Sequence, residues 1–213
     1  MKEKTRKIGI QLLEENNLSY LQDAFLTIVE KSISAVARGA KILVCGNGGS
    51  AADSQHIVGE LQKGFVLPRK LSEKDQAAFD SFGKDGKQIA KKLQYGIPAV
   101  ALTGSEAIST AVINDNGAEM MFAQQAYALV EAGDIFIGIS TSGNAENVCL
   151  AAITAKAKGA YTIGLCGKDG GKLAKLSDNS LVVALCDTFR IQEKHLPLYH
   201  AYCLCLEEEF FGE

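Results

Sequence analysis

Nowhere does this chain hold the ~20 consecutive apolar residues needed to cross a bilayer, and its charged start (Lys2, Glu3, Lys4, Arg6, Lys7) lacks the apolar core of a signal peptide. A soluble, cytoplasmic protein with no membrane partner is expected. An excess of basic charge is missing as well. Lys and Arg number 22 against 25 Asp and Glu, for a formal net charge of −3, so no basic field awaits nucleic acid. The one lysine-dense stretch, Lys84 to Lys92, reads as a solvated helix face. The six cysteines (Cys45, Cys149, Cys166, Cys186, Cys203, Cys205) show no C-x-x-C spacing. Scattered in apolar segments, they read as buried free thiols in a reducing compartment rather than as disulfides or a zinc cluster.

What is present centres on residues 42–60. Ile42, Leu43 and Val44 form a short apolar run, and Gly46, Gly48 and Gly49 then permit positive φ and leave backbone N–H groups bare. Ser50 is placed to cap the helix that follows, and such a turn suits a phosphate or another anion. Gly46-x-Gly48-x-x-Ala51 also fits a dinucleotide fingerprint. That fingerprint requires an acidic residue about 20 positions on, at the end of the next strand, and the next apolar run, Pro98 to Leu102, comes too late. Inside the new helix His56 and Glu60 stand four residues apart, on one face, able to converge on one metal or one substrate atom. The plainer alternative is a solvated helix pair.

Two helices are expected before the first strand. One runs from about Thr5 to Glu15. The second opens on the capping-box pattern Ser19-x-x-Gln22, carries Leu21, Phe25, Ile28, Val29, Ile33 and Val36 at helical spacing, and ends at Gly39. Strands are expected at Lys41–Cys45, Pro98–Leu102, Asp134–Ile139, Ala160–Leu165 and Leu181–Leu185. Alternation with helices makes this a doubly wound, mostly parallel α/β sheet in a single domain, 1–213, with residues 1–39 as N-terminal helices. Residues 64–96 read as a polar, irregular surface excursion or lid with a helix near Lys87 to Leu93. Asn114 and Asp115 are expected in a loop. Ser140, Thr141 and Ser142 follow the third strand at a helix start. A cap would use one hydroxyl, whereas three with bare amides form a phosphate cradle that needs no lysine. In such sheets ligands lie beyond the carboxyl ends of the strands, so both turns should share one crevice. The last helix, from about Arg190, carries His195, which reads as packed, and His200. Pro197 should kink that helix or mark its start.

Taken together, Cys45-Gly-Asn-Gly-Gly-Ser50 with His56 and Glu60, Asn114-Asp115, Ser140-Thr-Ser-Gly-Asn144, Gly167-Lys-Asp-Gly-Gly171 and Arg190-Ile-Gln-Glu193 with His200 resemble the SIS (sugar isomerase) family. Within it they are most similar to the branch that isomerises phosphorylated heptoses. The resemblance spans nearly the whole chain. It implies the five-stranded SIS fold and a homotetramer with active sites at subunit interfaces. It also implies one zinc ion per subunit on His56, Glu60, Gln192 and His200, and a phosphorylated ketoheptose as substrate. Substrate contacts are implied for Asn47, Gly48, Gly49, Ser50 and Glu60, and for Asn114, Asp115 and Gln192; Ser140, Thr141 and Ser142 would hold the phosphate. Ala145 and Phe189 depart from the serine and the polar residue common in the family, and the 64–96 excursion is longer than its norm.

Glu60 and His200 are the implied acid–base pair of an aldose–ketose isomerisation. Glu60 would remove a carbon-bound proton to give an enediolate, and His200 would move protons on the oxygens. The alternatives are an isomerase of another phosphosugar and a non-catalytic SIS protein that binds a phosphosugar or a bacterial replication initiator. Relatives of the last kind lack the equivalents of Glu60 and His200.

Overall fold

Five short apolar runs become strands because a parallel sheet covered on both faces has no polar side to offer. The computed structural model describes residues 1–212. Two helices, α1 (Glu3–Glu15) and α2 (Gln22–Ala37), lead into β1 (Ile42–Gly46) and α3 (Gly49–Gln62). Next come α4 (Glu73–Ala77), α5 (Gly83–Lys92), β2 (Ala99–Ala101), α6 (Glu106–Asn116), α7 (Met121–Leu129) and β3 (Ile135–Ser140). The chain closes with α8 (Glu146–Ala157), β4 (Tyr161–Gly167), α9 (Gly171–Leu176), β5 (Asn179–Val183) and α10 (Thr188–Phe211).

The sheet is parallel throughout, in the order β2-β1-β3-β4-β5. Alternation along β1 sends Ile42 and Val44 into a core with α2, α3 and α10, through Phe25, Ile28, Ile57, Leu61, Leu198 and Tyr202. Leu43 and Cys45 enter a second core on the other face with Phe122, Ala126, Val148 and Cys149. The strand order reverses between β1 and β3, whose residues Gly46 and Ile139 are paired at their carboxyl ends. That reversal opens a crevice at the point where ligands bind in such sheets.

Several sequence expectations need correction. The Ser19 capping box does not form: Ser19–Leu21 makes a 3₁₀ turn and α2 starts without a side-chain cap. Gly39 does close α2, at φ +89°, with its N–H on the Val36 carbonyl. Asn114 and Asp115 lie in the last turn of α6, not in a loop. The 64–96 excursion carries the expected helix near Lys87 as α5, but it is less irregular than expected, since α4 packs on α5 above a narrow neck. There Gly64 N–H donates to Gln94 Oε1 at 2.8 Å and Tyr95 N–H to the Arg69 carbonyl at 2.7 Å. α10 runs unbroken through Pro197, which neither starts nor ends it. Cys186 is exposed, whereas the other five thiols are buried, and all six are free. Among the described residues no helix is long and apolar enough to cross a membrane.

Candidate active site

The turn after β1 is shaped by two glycines. Gly48 occupies the helix N-cap at φ +56°, where a side chain would be strained. A Cβ at Gly49 would run into the Gln192 carboxamide, so this residue type lets α10 close on the turn. The sequence places Ser50 as the cap of α3, but Gly48 holds that position; Ser50 is buried inside the first turn and its N–H is taken by the Asn47 carbonyl at 3.0 Å.

The turn after β3 is held by its own polar groups. Asn144 N–H donates to Ser142 Oγ at 3.1 Å, Ala145 N–H lies 3.4 Å from Ser140 Oγ, and Lys172 N–H donates to Asn144 Oδ1 at 3.0 Å. The N-cap of α8 is Ala145, so none of the three hydroxyls caps that helix and the cap explanation for them is removed. The two turns are tied together by Asn47 and Asn147, whose side-chain amides exchange hydrogen bonds of 2.8 and 3.0 Å. Between them lies a cavity of about 360 Å³. Asn47, Gly48, Gly49 and Ser50 line one side, Ser140, Thr141 and Ser142 the other, and Thr188 and Gln192 of α10 the floor. The shared crevice expected from the sequence is therefore present. Nothing local in the sequence marked Asn147 or Thr188. Asn114 and Asp115 stand exposed on α6, where the Asn114 amide donates to the Asp115 carboxylate at 2.8 Å.

Further along α3 lies a second group of polar side chains. α3 and α10 run side by side in the same direction. Gln192 meets Gly49, Tyr199 meets Asp53 and His56, and Cys203 meets the Ile57 carbonyl. His56 Nε2 faces Glu60 Oε1 at 3.2 Å, and the His200 ring lies 5.0 Å from the His56 ring, nearly perpendicular to it. Tyr199 donates its hydroxyl proton to Asp53 Oδ1 at 3.2 Å, so at the 3.1 Å contact with His56 Nδ1 it must accept. The His56 proton then sits on Nδ1, leaving the Nε2 lone pair pointed at a carboxylate. Two acceptors facing each other require a proton or a cation between them. His200 Nε2 is buried close by with no partner. Burial, reinforced by the neighbouring His56, holds the His200 pKa below its ordinary value and keeps the ring neutral. Burial also raises the Asp53 pKa, against the opposing Tyr199 hydrogen bond, and Tyr199 is raised by burial and by Asp53.

Two imidazoles and a carboxylate are a donor set that suits zinc, and the His56–Tyr199–Asp53 chain is the outer support such ligands have. Among the described residues, no three His, Cys, Asp or Glu side chains close around a single point as they stand. Gln192 is not with them; it sits two helical turns back, over Gly49.

The SIS domain model matches residues 93–185. The phosphoheptose isomerase of Geotalea daltonii is 40% identical over 193 residues, covering 91% of this chain and 88% of that one. That of Clostridium acetobutylicum is 42% identical over 187 residues, covering 88% and 83%. Among solved structures, the phosphoheptose isomerase GmhA of Neisseria gonorrhoeae superposes with a TM-score of 0.73 at 34% identity, covering 94% of this chain and 93% of that chain.

Proposed function

We infer that this chain, which belongs to the phosphoheptose isomerase family, is an aldose–ketose isomerase converting D-sedoheptulose 7-phosphate to D-glycero-D-manno-heptose 7-phosphate, a step of heptose biosynthesis. The observation that carries the reading is the gathering of His56, Glu60 and His200 on adjoining helices, two turns along α3 from a cavity walled by glycine and hydroxyl turns.

In this reading Ser140, Thr141 and Ser142 take the phosphate, and Asn47, Gly48, Gly49, Ser50 and Gln192 meet the sugar. Glu60 removes a proton from C1 of the ketose, and the C2 oxygen gains a proton as the enediol forms. Loss of the O1 proton and return of the carbon proton to C2 then give the aldose. The neutral His200 carries the oxygen proton from O1 to O2, a task that suits an imidazole kept uncharged by burial. Glu60 has an oxygen for each duty, since Oε1 faces His56 and Oε2 lies 3.5 Å from Lys63. Zinc on His56, Glu60, His200 and Gln192 would supply Lewis-acid stabilisation of the enediolate oxygens. Asn114 and Asp115 fit this scheme as substrate contacts offered from α6 to a neighbouring subunit. A homotetramer with interfacial sites accords with the exposed Ile108, Ile113, Tyr127, Leu129 and Phe189. The chain is read as one SIS domain, 1–213, working in the cytoplasm without nucleic acid, with residues 64–96 covering the site.

The test is incubation with C5, C6 and C7 ketose phosphates, following the aldose. The C7 substrate should turn over, and Glu60→Gln and His200→Ala should each lower kcat by about 10²–10⁴-fold in folded protein. Near-normal turnover by either variant removes the assignment. Preference for a C5 or C6 phosphate would select the alternative of another phosphosugar isomerase, and no turnover of any would select a binding protein.

A further inference from the structure

One buried ion pair lies outside everything assigned so far. Arg69, from the neck of the 64–96 excursion, is 2% exposed, and its Nε meets Oε1 of the fully buried Glu207 on α10 at 2.9 Å. The guanidinium does not stop there. Nη1 donates to the Leu61 carbonyl at 2.6 Å and Nη2 to the Glu60 carbonyl at 3.0 Å. These carbonyls belong to the last turn of α3, where helical partners run out and a cation is favoured by the helix dipole. Glu60 sits only two residues from the end of its helix, a place where helices fray, and Arg69 closes that end.

Glu207 has a second set of partners. Its carboxylate accepts the backbone N–H groups of Phe65, Val66 and Leu67 at 2.7, 2.9 and 3.1 Å. The turn so gathered lays the Phe65 ring 5.3 Å from the ring of His200, two helical turns before Glu207 on α10. Burial by itself would raise the Glu207 pKa, yet the three N–H groups and Arg69 hold it below the ordinary carboxylate value. It stays charged and keeps the turn.

We propose that Arg69 and Glu207 are positioning residues for the acid–base pair, fixing Glu60 through its own carbonyl and His200 through Phe65. Stability alone does not call for them, because well-packed apolar side chains commonly replace a buried ion pair without loss. An apolar pair, however, cannot hold the Glu60 carbonyl or gather three amides. The inference rests on the isomerase reading above.

The experiment compares wild type with the volume-conserving double variant Arg69→Met/Glu207→Leu, with Arg69→Lys, and with Phe65→Leu, which leaves the pair intact. In folded protein the double variant should lose about 10²-fold in kcat on sedoheptulose 7-phosphate with KM held within about twofold, the mark of misplaced reacting groups. Arg69→Lys keeps the charge but lacks the fork that reaches both carbonyls, so it should not restore kcat. Phe65→Leu should lower kcat by a smaller factor, again without moving KM. Amide hydrogen exchange supplies a reading that needs no substrate: the N–H groups of residues 60–62 and 65–67 should exchange at least about tenfold faster in the double variant, while α1 is unchanged. Unaltered exchange in a folded double variant, or unaltered kcat, overturns the proposal. If the wild-type chain turns over no C7 phosphate, the isomerase reading fails, and exchange still decides whether the pair holds the α3 end.

Discussion

The Gln192 carboxamide lies over Gly49 at the start of α3, whereas the His200 ring lies against His56, two turns further along the same helix. Seven residues of helix rise about 10 Å, and zinc ligand bonds are only about 2 Å long. α10 is continuous through Pro197 and leaves the two residues against opposite ends of this stretch of α3. One ion per site held by both residues therefore calls for two subunits. Mixing the inactive Gln192→Ala and His200→Ala proteins under subunit exchange should regenerate sites that carry neither lesion, and with them part of the activity. No recovery despite proven exchange would mean that Gln192 and His200 of one chain serve the same site.

Metal affinity should depend on a side chain that does not touch the metal. Tyr199 fixes the His56 tautomer by accepting from Nδ1 while donating to Asp53. Tyr199→Phe should weaken zinc binding by roughly 10–100-fold, read by competition with a chromophoric chelator. Chelation of the wild type should slow turnover, and added zinc should restore it. Full activity in protein shown metal-free by elemental analysis would make the ion incidental.

These sites differ in how far local sequence could reveal them. The buried strands and the two anion turns were legible because each has a local chemical reason: apolar runs for a sheet covered on both faces, glycines where φ is positive, hydroxyls where amides are bare. The His56 and Glu60 pairing was legible because helix period fixes it. Asn114 and Asp115 read as loop residues because Ala111, Val112 and Ile113 are too short a pattern to reveal α6. Ser19 has the type and spacing of a cap, but the chain begins α2 through a 3₁₀ turn instead. Arg69 and Glu207 are 138 residues apart, and Asn47 and Asn147 are 100 apart. Contacts at that separation exist only once the sheet has brought the loops together, so no local spacing could announce them.

His195 gives a prediction about stability rather than catalysis. It is completely buried, its Nε2 lies 3.1 Å from the Cys166 carbonyl and therefore carries the proton, and its Nδ1 has no partner. Burial lowers its pKa to about 4, against the smaller opposing effect of that hydrogen bond. In the unfolded chain the ring titrates near 6.5, so above that pH neither state binds the proton and His195 leaves stability unchanged. As pH falls from about 6.5 to 4 the unfolded state gains a proton that the folded state refuses, and stability drops by up to about 3 kcal/mol. Below about 4 the ring adds no further loss, and any decline there belongs to carboxylates held low, such as Glu207. His200 contributes in the same direction. Urea midpoints at pH 7 and pH 4.5 should therefore differ, and His195→Gln, which offers the carbonyl a donor without a titrating ring, should narrow the gap. An equal gap in the two proteins would show that His195 does not carry the acid sensitivity.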